Sequence, residues 1–230
     1  MRAPTVLLAL LPLAMSCAHY PSPPATPTPS GEITVLPAFV FDPGTARQED
    51  GKTVRTVRGC AATYVAPHLL VTSATAFPKI APGERRADVP IAVVTPDGAM
   101  LHVMGVVYLH SGDGIALIRT WEEGRSRPLS LMATPRGPLT AVGIRYAPPP
   151  NPSLPRTETY QAEVAPEPEP YSSGGTFIRF RITPLLEQGA CGTPLLDREG
   201  NFAGMVHEKH GTWLSAISAP AIAEAIARAR

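Results

Sequence analysis

A chain of 230 residues, 44% hydrophobic and 17% charged, has the composition of one globular domain, or one tight two-barrel unit, with a tail. A formal net charge of +1, with no Lys/Arg cluster, excludes the electrostatic footprint of a nucleic-acid binder. Proline is over-used, at 28 residues, and is densest at positions 21–29 and between Pro148 and Pro170, which read as extended, solvated segments.

The chain opens "MRAPTVLLALLPLAMSCAHY", with an early positive charge at Arg2 and an apolar run from Val6 to Met15. Such a run is too short for a permanent membrane helix and fits the core of a signal peptide. In "LAMSC" a small residue and then Cys17 follow the run directly, which resembles a bacterial lipoprotein signal. That resemblance implies cleavage after residue 16 and lipidation of Cys17, with residues 17–31 as a Pro-rich spacer from a membrane anchor. An ordinary secretory signal, with Cys17 removed, is the alternative; both readings export the folded part, residues 32–230.

From Glu32 onward, short strands alternate with Gly/Pro/Asp turns: "EITVLPAFVF", "KTVRTVRGCAATYVA", "HLLVTSATAF", "DVPIAVVTP", "AMLHVMGVVYLH", "GIALIRT" and "LTAVGIRY". "TYQAEVA", "GTFIRFRI", "GTPLLD", "NFAGMVHE" and "TWLSAIS" continue the pattern. Many short strands, rich in β-branched residues and evenly spaced, predict an all-β barrel or sandwich. Only "PAIAEAIARAR" predicts a helix: Pro220 suits its first turn, and Ile222 and Ile226 lie four apart on one face.

Three segments carry a resemblance. "GCAATYVAPHLLVTSATAF" is similar to the segment of the chymotrypsin/trypsin family that ends Thr-Ala-Ala-His-Cys. "GDGIALIRT" is similar to the one beginning Asp-Ile-Ala-Leu-Leu, with His110 shortly before it. "QGACGTPLLDREGNFAGMV" is similar to Gly-Asp-Ser-Gly-Gly-Pro-Leu-Leu and the strand that follows. Their order and spacing, with the terminal helix, extend the resemblance over roughly residues 32–230. It implies a double six-stranded β-barrel.

The resemblance also exposes what has changed. In that family a Ser attacks the scissile carbonyl, a His takes its proton and an Asp orients the His. Here the Ser position is Cys191, the His position is Thr75 and the Asp position is Gly114. Threonine cannot act as a general base near neutral pH, and Asp113 is one residue early, so on a strand it points the other way. Ala190 replaces the Asp that pairs with a freed N-terminus in activated zymogens, and no Ile-Val-Gly-Gly activation site lies upstream.

Cys191 admits two readings. Picornavirus-type cysteine proteases share the fold and place Cys in a Gly-x-Cys-Gly turn, as Gly189 to Gly192 do here. The backbone amides of Gly189 and Cys191 are then the expected oxyanion hole. A base must come from elsewhere among His19, His68, His102, His110, His207 and His210. His207, directly after "GMV", is the candidate substitute base; the alternative is a partly buried, backbone-bonded histidine. The second reading of Cys191 is structural. Cys60 stands fifteen residues before Thr75, where the family has a cysteine that pairs with the residue after the catalytic His, here Ala76. The resemblance therefore implies that Cys60 and Cys191 are neighbours able to form a disulfide, worth about 4–5 kcal/mol in the chain-entropy model.

Leu185 falls at the floor of the family's specificity pocket and carries no charge, and it reads equally as core. Trp121 and Trp213 read as core residues, and no spacing suggests a metal or other cofactor. The expected function is thus an exported trypsin-like homologue without proteolysis, binding a peptide or protein, or serving structure, at the cell envelope. The alternative is a peptidase using Cys191 with a non-standard base.

Overall fold

The computed structural model describes residues 34–41, 47–49, 52–54, 57–78, 90–130, 135, 137–145, 156–164, 179–183, 191–210 and 213–230. All belong to one compact unit, Ile33–Arg230. The expected signal and spacer with Cys17, together with Leu185, Gly189 and Ala190, lie outside the described residues.

The first half is a six-stranded antiparallel sheet. Its strands are β1 (Val35–Phe41), β4 (Val57–Ala66), β5 (Leu69–Ser73), β6 (Ile91–Val93), β7 (Val103–His110) and β8 (Ile115–Thr120), in the order β6-β1-β4-β5-β8-β7. The sheet curls until its edges return to one another, and the Leu101 N–H, just before β7, donates to the Val93 carbonyl at 2.9 Å. β2 (Arg47–Glu49) and β3 (Lys52–Val54) form a separate two-stranded sheet. The second half is a closed barrel in the order β10-β11-β14-β13-β12-β9. Its members are β9 (Pro138–Arg145), β10 (Arg156–Val164), β11 (Arg179–Thr183), β12 (Pro194–Leu196), β13 (Phe202–His210) and β14 (Trp213–Ser218). α1 (Ala219–Arg228) follows directly, with Pro220 in its first turn. The double six-stranded architecture with a terminal helix is the one the sequence leads to.

Alternation explains how the halves join. On β8, Ala116 and Ile118 fill the first sheet's interior, while Ile115 and Leu117 point outward and are equally buried. They meet Phe202 and Met205 of β13, Ile217 of β14 and the apolar face of α1. A strand covered on both sides reads as an unbroken apolar run, which is why "IALI" carries no polar residue. On β13, Ala203 and Val206 take the opposite face and fill the second barrel. At roughly 25 cal/mol per Å² of apolar surface, this shared layer is a major part of what holds the two halves together.

Trp121 is 71% exposed, so its expected core role is corrected. It stands just past the end of β8, where the chain leaves the layer between the halves. Its N–H donates to the His102 carbonyl at 2.9 Å, an anchor that does not need the indole.

Candidate functional site

The site forms where three local structures converge. The first is the turn at Cys191. The Cys191 carbonyl accepts a hydrogen bond from Ala61 N–H of β4 at 2.8 Å, and Gly192 N–H donates to the Val206 carbonyl of β13 at 2.7 Å. The two ends of one peptide group are therefore tied to different halves. Gly192 has φ of +84°, and a Cβ there would stand 1.9 Å from the Ala61 carbonyl oxygen and 2.7 Å from Thr72 Oγ1. Both the backbone shape and the close approach require glycine.

The second is the end of β5. Ser73 is extended and its hydroxyl accepts from Thr75 N–H at 3.3 Å, capping a single 3-10 turn, Ala74–Ala76. That cap turns Thr75 toward the site, where its hydroxyl lies beside the Cys191 thiol and favours the thiolate. Thr75 and Cys191, both singled out in the sequence, thus stand side by side.

The third is β13. Val206 pairs with Ala216 and Glu208 with Ser215, leaving His207 as the extra residue of a β-bulge. Bulges re-aim side chains. The His207 ring, buried at 4% exposure, lies directly against Gly114. A Cβ on Gly114 would fall 2.4 Å from His207 Cε1 and 2.7 Å from Nδ1. Gly114 itself has φ of +74° and its carbonyl accepts from Ala74 N–H at 2.9 Å. The space that an acidic side chain would need at this position is filled by an imidazole.

A continuous run of polar atoms results. Ser73 Oγ lies 2.8 Å from Thr75 Oγ1 and 3.1 Å from His207 Nδ1. Both hydroxyls also reach the His207 carbonyl, Ser73 at 3.2 Å and Thr75 at 3.4 Å. His207 Nε2 is 4.0 Å from Glu208 Oε2. Ser73 is the functional residue that sequence reasoning missed; its only local signal was a cap-type residue just before a short turn.

Asp113, the acid displaced by one residue, serves another cluster. Its buried carboxylate accepts the Tyr108 hydroxyl at 2.6 Å and stands 3.0 Å from His110 Nδ1 and 3.9 Å from the Arg228 guanidinium of α1. Burial first, then the hydrogen bond and charge of Asp113, raise the Tyr108 hydroxyl above its ordinary range. His68 lies on the exposed β4–β5 turn, and exposed His102 pairs with Glu122.

The disulfide expected between Cys60 and Cys191 is corrected: both are free thiols. The reason is side-chain direction. Cys60 is fully buried in the first sheet's core, its sulfur 3.6 Å from the Ala38 carbonyl and 3.2 Å from Thr72 Oγ1, while Cys191 is engaged by Thr75. Burial pushes the Cys60 thiol up to about 12 against the lowering bond from Thr72, and a charge on neighbouring Cys191 raises it further. Burial also raises the Cys191 thiol, offset in part by Thr75 and reinforced by the charge of Glu208. Of the expected oxyanion pair, only Cys191 is among the described residues. The described residues hold no group of three or more metal-ligating side chains.

No protein-family model matches the chain, and no curated protein matches it significantly. Solved structures do. The active form of the Rv3671c protease from M. tuberculosis superposes with a TM-score of 0.60 at 16% identity, over 84% of this chain and 79% of that one. The inactive form of the same protein, a serine-to-alanine mutant, gives a TM-score of 0.55 at 14% identity, over 84% of this chain and 86% of that one. The architecture is the double-barrel, trypsin-like fold; likeness at this identity carries the fold and leaves the chemistry to the site itself.

Proposed function

We propose that this chain is an exported, trypsin-like protease homologue that does not hydrolyse peptide bonds and that binds a peptide or protein at the cell envelope. The observation that carries the reading is the His207 ring against Gly114, with Thr75 beside Cys191. Amide cleavage requires a base for the nucleophile and then an acid for the leaving nitrogen, both delivered by one group beside the nucleophile. The group beside Cys191 is a threonine hydroxyl, which does neither well. Loss of one triad member ordinarily costs on the order of 10⁴–10⁶ in turnover, and here all three positions differ. The retained turn and the docked barrels support a binding role, and the apolar N-terminal run ending at Cys17 supports export with a lipid anchor.

A second reading, a cysteine peptidase with His207 as base, draws support from the polar run between Cys191 and His207. The experiment that separates them uses the full-length chain with a library of extended, fluorescently labelled peptides. Saturable binding without cleavage is expected; turnover that Cys191→Ala abolishes overturns the first reading in favour of the second. Metabolic labelling with a fatty acid, compared between the native chain and Cys17→Ala, tests the anchor: label on the native chain alone is expected.

A further inference from the structure

We propose that Cys191, Thr75, Ser73 and His207 form a proton relay that makes Cys191 an acyl-accepting thiol for esters and thioesters, with His207 as a remote base. The inference goes beyond the loss of proteolysis proposed above and rests on geometry internal to the site. Four polar side chains from three separate segments lie in series: the Cys191 thiol beside Thr75, Thr75 Oγ1 2.8 Å from Ser73 Oγ, and Ser73 Oγ 3.1 Å from His207 Nδ1. None of these residues is adjacent in sequence to the next. The bulge at His207 and the cap at Ser73 are the local devices that bring them into line.

The direction of transfer follows from the termini. Glu208 Oε2, 4.0 Å from Nε2, favours the proton on that nitrogen and leaves Nδ1 to accept from Ser73. At rest the His207 carbonyl offers both hydroxyls a second acceptor, so the relay is a small reorientation of hydrogens already present. In the reacting step Ser73 passes its proton to Nδ1, Thr75 passes its own to Ser73, and the thiol proton moves to Thr75. The sulfur forms a bond to the acyl carbon, the carbon–oxygen or carbon–sulfur bond to the leaving group breaks, and that group departs with the bonding pair. The product is a thioester on Cys191 and an imidazolium at His207. Burial keeps the Cys191 thiol protonated, and a thiol held as S–H is the kind that gains from a base.

The same geometry selects the substrate class. An amine leaving group must receive a proton as it departs, and His207, 4% exposed behind two hydroxyls, cannot reach it. A phenolate or thiolate leaves as the anion and needs no acid. The titratable and charged groups around the relay include His207 itself, Glu208 on the same strand, Cys191 on its turn, Cys60 on β4 and Arg58, which donates to the Thr75 carbonyl at 3.5 Å; Asp113, on the turn behind Gly114, has its carboxylate on Tyr108, His110 and Arg228.

The test is acetylation of the full-length chain by p-nitrophenyl acetate, followed as p-nitrophenolate release and as acetyl mapped to Cys191 by mass. One acetyl per chain is expected, absent in Cys191→Ala, with a rate that rises with pH as the base loses its proton. Ser73→Ala and His207→Gln each lower that rate about 10²-fold and remove the rise, and the double variant is no slower than either single one. Thr75→Val loses the same factor and Thr75→Ser keeps the native rate, a comparison that stands if His207→Gln fails to fold. Native-rate acetylation in Thr75→Val or His207→Gln, or acetyl mapped away from Cys191, overturns the relay. Peptide cleavage overturns the binding role separately and leaves this measurement independent.

Discussion

The imidazole of His207 stands where a side chain on Gly114 would have to be, 2.4 Å from the position of its Cβ. Two residues 93 positions apart in the chain thus exclude one another's alternatives. A larger residue at Gly114 needs His207 gone, and a buried ring at His207 needs Gly114 bare.

Gly114→Asp is therefore expected to destabilise. Overpacking against His207 and a non-glycine residue at φ of +74° together cost about 2–5 kcal/mol. Adding His207→Ser recovers the packing part and leaves about 1 kcal/mol of backbone strain. Urea midpoints of the two single variants and the double variant check this; a Gly114→Asp midpoint equal to the native one contradicts it.

Gly192→Ala is expected to be worse tolerated. Its Cβ meets a backbone oxygen at 1.9 Å, which cannot swing aside as a side-chain tip does. Loss of more than about 3 kcal/mol follows, with the Cys191 turn displaced from Ala61. Thermal unfolding measures the first effect, and the alkylation rate of Cys191 the second.

Alkaline pH is expected to loosen the first sheet through Cys60. Its thiol is raised from an ordinary 9.0 to about 12, chiefly by burial. The folded chain holds that proton more tightly than the unfolded one. The associated stability is present below pH 9 and is lost as pH rises toward 12. Three units at about 1.4 kcal/mol each bound the effect near 4 kcal/mol. Denaturant titrations between pH 8 and 11 should show the fall, and Cys60→Ala should reduce it, leaving the contributions in the same sense from Cys191, Tyr64 and Tyr108.

Tyr108→Phe is expected to loosen α1. The buried Asp113 carboxylate loses its 2.6 Å donor and keeps only His110 and the more distant Arg228. A buried acceptor left short of a donor costs about 1–3 kcal/mol. Faster amide exchange along Ala219–Arg228, with exchange in the second barrel unchanged, is the signature to look for.

The strands were legible because β-branched and small apolar residues recur at the spacing that a buried sheet requires; "IALI" in β8 and "FAGMV" in β13 are the clearest. β2 was not, since Arg47, Gln48 and Glu49 show neither alternation nor apolar character. Thr75, Gly114 and Cys191 were singled out through the family resemblance, and Thr75 lies beside Cys191. His207 could be singled out, but its contact with Gly114 depends on a bulge, and pairing register is not written in local composition. The disulfide expectation failed on a similar point. Proximity of Cys60 and Cys191 follows from topology, whereas the direction of each sulfur depends on Ala38, Thr72 and Thr75 around it.

The paired anchoring of Cys191 to Ala61 and of Gly192 to Val206 has a consequence for how such a chain changes over time. One peptide plane is the rivet between two barrels, so a slip of either barrel must rotate it and carry the sulfur away from Thr75. Pressure to keep the halves together therefore preserves the shape of this turn whether or not any reaction passes through it. The turn at Cys191 is, before anything else, a joint.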